Sequence, residues 1–311
     1  MSSNSIRVFA PASVSNVGPG FDIMGFAVKF PGDEIIIRKR NDRKLRITKI
    51  TGVKTKLPMN ISQNTAGVAI KAMLKELQVN VGLDIEIHKK MEVGSGIGSS
   101  AASAVGAVFA ANKLLSLKQS KNQLLNFALA GESIASGAIH ADNVAPALFG
   151  GFILIRSYNP IDIIRIPTPK NLYCSIVFPQ IQIKTIEARR ILPAEVNLKT
   201  ACNQAGNAAG LIAGLITSDF NLIARSLVDH IAEPRRAKLI PIYDQIRNSA
   251  FEAGAINCNV TGSGPSMFAF SDSQIKAIKI AQSMEASVKQ TNTKCVSYVS
   301  KINHIGPKVL D

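Results

Sequence analysis

The acids and glycines of this chain are unevenly distributed, and the unevenness points to chemistry. The stretch GSGIGSSAAS, residues 94–103, sets Gly94, Gly96 and Gly98 at alternate positions before Ser99, Ser100 and a run of small residues. Glycine reaches φ > 0 without strain and lets backbone N–H groups approach a ligand with no Cβ in the way. A helix starting just after it adds unpaired N–H groups and the positive end of its dipole, so the junction suits an anion such as phosphate. From Val93 to Gly131 there is no acidic residue, and Glu132 is then the only acid between Glu92 and Asp142. Set among small and apolar neighbours in LAGESIASG, Glu132 reads either as a ligand or as a helix-surface glutamate. The polar cluster HADN, residues 140–143, follows. An extended backbone would put His140 and Asp142 on one side and Asn143 on the other, whereas a tight turn would gather all three.

Two familiar phosphate loops fail the comparison. A Walker A loop needs Gly-Lys-Ser/Thr, and no lysine stands there. A dinucleotide loop needs a ribose-binding acid about 20 residues on, where this chain has none.

The elements that must position these residues alternate between strand and helix patterns. IRVFAPAS and EIIIRKR read as strands, residues 64–77 as a helix, and LDIEIHKK as a strand feeding the glycine loop. Helices are expected over 100–117 and 121–136, strands at GGFILIRSYN and YCSIVFPQ, helices at TIEARRIL and 201–215, and a last strand at MFAFSD. Pro160, Pro167 and Pro169 punctuate residues 157–170 and suggest a boundary. The expectation is an α+β protein with an N-terminal domain over 1–157 and a C-terminal domain over 158–311.

Composition narrows the function classes. The chain has 311 residues, 46% hydrophobic and 18% charged, with no apolar run that would span a bilayer. Its first residues lack the basic-then-apolar layout of a secretory signal. Four scattered cysteines with no CxxC pair argue against a disulfide framework or a zinc site and fit a reducing cytoplasm. The net charge of +15 is concentrated between Arg38 and Lys56, with nine Lys/Arg and the single acid Asp42. Two strand-like runs around a polar turn at residues 41–44 read as a solvated basic hairpin. Only 5% of residues are aromatic, which leaves little for base stacking, so neither nucleic acid nor membrane is expected as a partner.

Two further glycine turns accompany the first: APASVSNVGPGFDIMGFA at residues 10–27 and NVTGSGPSMFAF at 259–270. Three such segments in this order resemble the GHMP kinase superfamily, whose middle motif is Pro-x-Gly-Ser-Gly-Leu-Gly-Ser-Ser-Ala. Here Glu92 stands for the proline and Ile97 for the leucine. PASVSNVGPGFDIMGFA, SGAIHADNVAPALFGG and DHIAEPRRAKLIP are similar to the homoserine kinase family within it.

That resemblance implies a ribosomal protein S5 domain 2-like N-terminal domain and a ferredoxin-like C-terminal domain. It implies ATP and Mg²⁺, with phosphates on Gly94, Ser95, Gly96, Ile97, Gly98, Ser99 and Ser100, and the metal at Ser100 and Glu132. Asn64, at the start of the early helix, would meet the adenine end of ATP, although an ordinary helix cap would look the same. L-Homoserine would be phosphorylated at its hydroxyl, a step of threonine biosynthesis. Its carboxylate suits the planar fork of an arginine, and family position selects Arg189 and Arg236, each with an arginine neighbour. Asn16 and Asp22 would hold the amino and hydroxyl end, or equally form a turn around residues 18–20. His140 would contact substrate or be structural. Asp142 and Asn143 are assigned to the catalytic site, with the identity of a general base left open. Another GHMP small-molecule kinase, or a non-catalytic ligand- or nucleic-acid-binding protein of this fold, is the alternative. The oligomeric state is open, a homodimer included.

Overall fold

The computed structural model describes residues 4–136 and 141–310. The chain opens with β1 (Ser5–Ser15), β2 (Met24–Arg40) and β3 (Leu45–Thr51), followed by α1 (Thr65–Glu76) and β4 (Gly82–His88). Three helices come next, α2 (Ser99–Leu114), α3 (Lys121–Ser136) and α4 (Ala141–Phe149), and then β5 (Phe152–Tyr158) and β6 (Ile161–Ile166). The second half runs β7 (Tyr173–Pro179), α5 (Thr185–Arg190), α6 (Leu198–Thr217), α7 (Phe220–Ser226), α8 (Glu233–Arg236) and α9 (Tyr243–Glu252). It closes with β8 (Asn259–Val260), β9 (Met267–Ser271), α10 (Gln274–Lys289), β10 (Cys295–Lys301) and β11 (Lys308–Val309).

The first sheet has the order β11-β1-β2-β4-β3, with β5 and β6 branching from β2. Helices α1 to α4 cover one face. In β2 and β4 the odd residues Ile35, Ile37, Leu83, Ile85 and Ile87 point into this core. Small residues let α2 lie directly on the sheet: a Cβ on Gly106 would come within 2.6 Å of Ile35 Cγ1. The second sheet is antiparallel, β10-β7-β9-β8, with α9 and α10 packed on it. A third apolar cluster joins the two layers. Its Phe26 lies 5.8 Å from Phe152 on the first sheet and 5.2 Å from Phe270 on the second, ring centre to ring centre. Buried aromatic pairs of this kind fix one layer against the other.

Three expectations need correction. The basic segment is not a hairpin: β4 inserts between β2 and β3 and pairs with both. Its acids pair with part of the charge, Arg38 bonding Glu86 and Arg40 bonding Asp84 at 2.8 Å. Asp142 and Asn143 belong to neither an extended stretch nor a turn, but to the first turn of α4. The strand at MFAFSD is not the last, since α10, β10 and β11 follow. The proline-punctuated segment contains β6, which pairs with β5, and β11 returns the chain's end to β1. Sheet membership therefore does not follow chain order, and a division at 157/158 stays a proposal from the sequence.

Candidate active site

A cavity of about 750 Å³ lies between the two layers and is lined from both. One end is backbone. Residues 93–98 loop from β4 into α2, with Gly94, Gly96 and Gly98 all at positive φ (73°, 80° and 68°). At Gly98 a Cβ would also collide with Ser13 Oγ, so both conformation and space exclude a side chain. The two other glycine segments meet this loop. Ser13 N–H donates to Ile97 O (3.1 Å), Thr261 Oγ1 to Gly96 O (2.9 Å), and Gly262 N–H to Ser15 O (3.1 Å). The order seen in the sequence is thus a contact in space. Ser95 Oγ closes the loop on Glu92 O at 2.7 Å.

Ser100, in the first turn of α2, donates to Glu132 Oε1 on α3 at 2.9 Å. Glu132 is only 5% exposed, and burial pushes its carboxyl up to about 7, with a smaller push from the Asp142 charge. A hydroxyl and one carboxylate are hard oxygen donors, which fit Mg²⁺ bound partly by substrate phosphates rather than by an all-protein cage. The described residues hold no cluster of three or more His, Cys, Asp or Glu. Asn64 caps α1, accepting from Ala66 N–H (3.1 Å) and donating to Pro58 O (3.0 Å), and it also lines the cavity.

The other end is charged. Asn16 and Asp22 both have positive φ (55° and 59°), and Asn16 Oδ1 accepts the Asp22 N–H at 2.8 Å. The turn role is therefore real, and both residues line the cavity as well. Asp22 forms an ion pair with Arg189 of α5. Arg236 of α8 is buried; its Nη1 donates to Gly262 O at 2.6 Å, and its guanidinium lies 5.0 Å from the Phe21 ring centre. Arg189 approaches the same ring at 5.7 Å. The neighbours Arg190 and Arg235 are exposed and do not line the cavity. Asp142 is 1% exposed, and its Oδ1 has no hydrogen-bond partner among the described residues. Burial, with the nearby Asp22 charge, raises its carboxyl to about 7. Asn143 ties α4 to β1, accepting from Ser13 Oγ and donating to Ser15 Oγ, both at 2.9 Å. His140 lies outside the described residues.

Several contributors were not singled out from the sequence. Lys89 and Asp33 form a buried ion pair beneath the loop, and Lys89 Nζ also donates to Ser99 O (2.6 Å) and Ser103 Oγ (2.9 Å). Strand parity was the available signal. Lys89 continues the inward series Leu83, Ile85, Ile87, and Asp33 precedes Ile35 and Ile37 on the inward face of β2. Gln204 joins Pro19 O (3.0 Å) to Asp229 (2.9 Å), and Glu233 is buried beneath the third glycine turn. Nothing in the local pattern marks either of these.

A phosphate-suited helix start, a hard-oxygen pair and a charged pocket share one cavity, and the family models agree. Residues 64–151 match the GHMP kinases N terminal domain and residues 211–290 the GHMP kinases C terminal. A solved structure of homoserine kinase from Cytophaga hutchinsonii superposes with a TM-score of 0.97 at 48% identity, covering 100% of this chain and 98% of that one. The fold alone is shared with L. major mevalonate kinase, at a TM-score of 0.76 and 18% identity over 97% and 99% of the two chains. The chain is thus of the GHMP kinase class, an ATP-dependent kinase in two layers. The homoserine kinase of Chlorobium phaeobacteroides (strain BS1) is 47% identical over 98% of this chain and 99% of its own length. That of Arabidopsis thaliana is 39% identical over 99% and 85%. Within the class, the chain belongs to the homoserine kinase family.

Proposed function

We propose that this kinase transfers the γ-phosphoryl group of MgATP to the side-chain hydroxyl of L-homoserine, in the cytoplasm and as a step of threonine biosynthesis. The observation that carries the reading is that one cavity is lined by the glycine loop and the start of α2 as well as by Asp22, Arg189 and Arg236, which suits phosphate at one end and a zwitterion at the other.

Asp22 and Arg189 bond each other. A zwitterionic amino acid offers each the same partner, ammonium for Asp22 and carboxylate for Arg189, so binding exchanges one ion pair for two. Arg236 adds a second guanidinium, held in place by the Gly262 carbonyl. With both charged groups fixed, the side-chain hydroxyl is directed toward the loop end, and proximity supplies much of the rate. The loop N–H groups and the α2 dipole hold the phosphates. Asp142, with a carboxyl raised to about 7, is suited to take the hydroxyl proton as the new bond forms. Ser100 and Glu132 would hold Mg²⁺, which when bound neutralises charge on the phosphoryl oxygens.

No helix among the described residues is long and apolar enough to cross a membrane. Two of the basic side chains, Arg38 and Arg40, pair with the β4 acids, which supports a structural role for that part of the charge over a nucleic-acid contact. The test is ADP release with a substrate panel. Release should depend on ATP, Mg²⁺ and L-homoserine, with far less from D-homoserine, mevalonate or galactose. Equal turnover of mevalonate, or none with L-homoserine, sinks the assignment.

A further inference from the structure

Arg236 sits on α8, a helix of four residues, too short to be held by its own hydrogen bonds. Asp229 accepts the N–H groups of Ile231, Ala232 and Glu233 at its start, and the side chain of its first residue ties it to the second sheet. Glu233 is 8% exposed, and three donors converge on its carboxylate. Tyr243 Oη donates to Oε1 at 2.8 Å, Val260 N–H to Oε1 at 3.1 Å, and Asn259 Nδ2 to Oε2 at 2.6 Å. Asn259 is itself fixed, donating to Leu227 O at 3.1 Å and accepting from Asn257 Nδ2 at 2.7 Å. Asn259 and Val260 are the whole of β8, and the next two residues are the ones that matter to the site. Thr261 Oγ1 holds Gly96 O of the phosphate loop, and Gly262 O receives Arg236 Nη1.

The two ends of α8 are therefore bonded to one short stretch, Glu233 to residues 259–260 and Arg236 to residue 262. Core filling alone does not call for a carboxylate here, because burying charge is costly unless it is fully paired. Three donors converge on it and offset part of that cost, although burial still raises the carboxyl to about 7. We propose that Glu233 is a positioning residue for substrate recognition: its carboxylate clamps α8 to β8 and so aims the Arg236 guanidinium at the cavity, in register with the phosphate loop. This rests on the reading of Arg236 as a holder of the substrate carboxylate.

Glu233→Gln keeps the shape but has one acceptor oxygen and an amide nitrogen. If the oxygen stays with Tyr243 and Val260, the nitrogen faces Asn259 Nδ2, donor against donor. The KM for L-homoserine should rise about 10-fold or more, while the KM for ATP changes less than about threefold. Tyr243→Phe removes one donor and leaves two, so it should move the same KM in the same direction by about two- to fivefold. It carries the test if Glu233→Gln does not fold.

A double-mutant cycle identifies the route. Arg236→Lys keeps the charge without the fork, and should cost about 10- to 150-fold in kcat/KM for L-homoserine. Adding Glu233→Gln to it should cost less than about threefold more, because both act through one guanidinium. Full additivity, equal rises in both KM values, or an unchanged homoserine KM in the folded Glu233 and Tyr243 variants overturns the proposal. Arg236→Lys with no more effect than the exposed control Arg235→Lys overturns the reading beneath it, and the proposal with it.

Discussion

The two ends of the cavity are built differently. The end proposed for phosphate comes from one continuous stretch, residues 94–100, and offers backbone N–H donors and a helix start. The charged end draws Asn16 and Asp22 from the turn after β1, Asp142 from α4, Arg189 from α5 and Arg236 from α8. A backbone site needs only local conformation, which glycine spacing announces. A side-chain site depends on where distant elements pack, and its parts have no spacing in common. The first end should therefore tolerate little change in residue type within the loop, while the second, on the proposal above, depends also on supports such as Glu233.

The largest effect should come from the charge that completes the phosphate end. Glu132→Gln preserves an acceptor for Ser100 Oγ but removes the carboxylate. If that carboxylate helps hold the metal and neutralise phosphoryl charge, kcat should fall by roughly 10²-fold or more. The KM for L-homoserine should hardly change, because Glu132 serves the other end. Near-normal turnover at low Mg²⁺ would leave Glu132 a structural residue and erase the division between the ends.

The charged end should reveal itself in stability. Asp142 is an acid whose folded value, about 7, lies above its ordinary 3.8. Between those values the folded state binds more protons than the unfolded, so its contribution to stability falls as pH rises through roughly 4 to 7. Asp142→Asn removes that dependence. In urea denaturation the variant should match the wild type near pH 4 and exceed it at pH 8 by on the order of 2–4 kcal/mol, while turnover is lost. Glu132 and Glu233, also raised to about 7, keep the remaining slope in the same direction. A stability difference that does not change with pH would mean that Asp142 is not stored against its own charge.

The contrast between the ends also explains what the sequence showed. The glycine loop, the isolation of Glu132 and most of the strands and helices around them are legible because glycine spacing, a lone acid and period-2 runs are local signals, whereas the pairing of Ser100 with Glu132 came from the motif resemblance. Arg189 and Arg236 came from the motif resemblance, and only packing separates them from Arg190 and Arg235. Asp142 and Asn143 line the cavity from the first turn of α4 rather than from an extended stretch or a tight turn, because Pro146 and the small residues of ADNVAPALF obscure a helix. The basic hairpin failed for a different reason. Residues 38–51 look like adjacent strands, and nothing in them says that a strand more than 30 positions later will lie between.

That inserted strand sets the smallest expected effect, in a region that belongs to neither end. Arg38 is held by Glu86, and Arg40 by Asp42 and Asp84, so part of the positive charge of the segment is paired. The Arg40 guanidinium, bonded to Asp42, holds that carboxyl well below its ordinary range. Asp84, the cross-strand neighbour of Arg38, precedes Lys89 by five residues on the same run. At ~3.3 Å per residue that is ~16 Å of strand, about two screening lengths in physiological salt. Replacing Arg38, Arg40 and Arg43 together with glutamine should leave kcat and both KM values within about twofold. The variant should lose some stability instead, as Glu86, Asp42 and Asp84 lose their partners. A filter-binding titration should find equally weak retention of DNA or RNA by both proteins. Tight, steeply salt-dependent binding by the parent that disappears in the variant would make the sheet edge a nucleic-acid site, and the comparison would then need a third functional region.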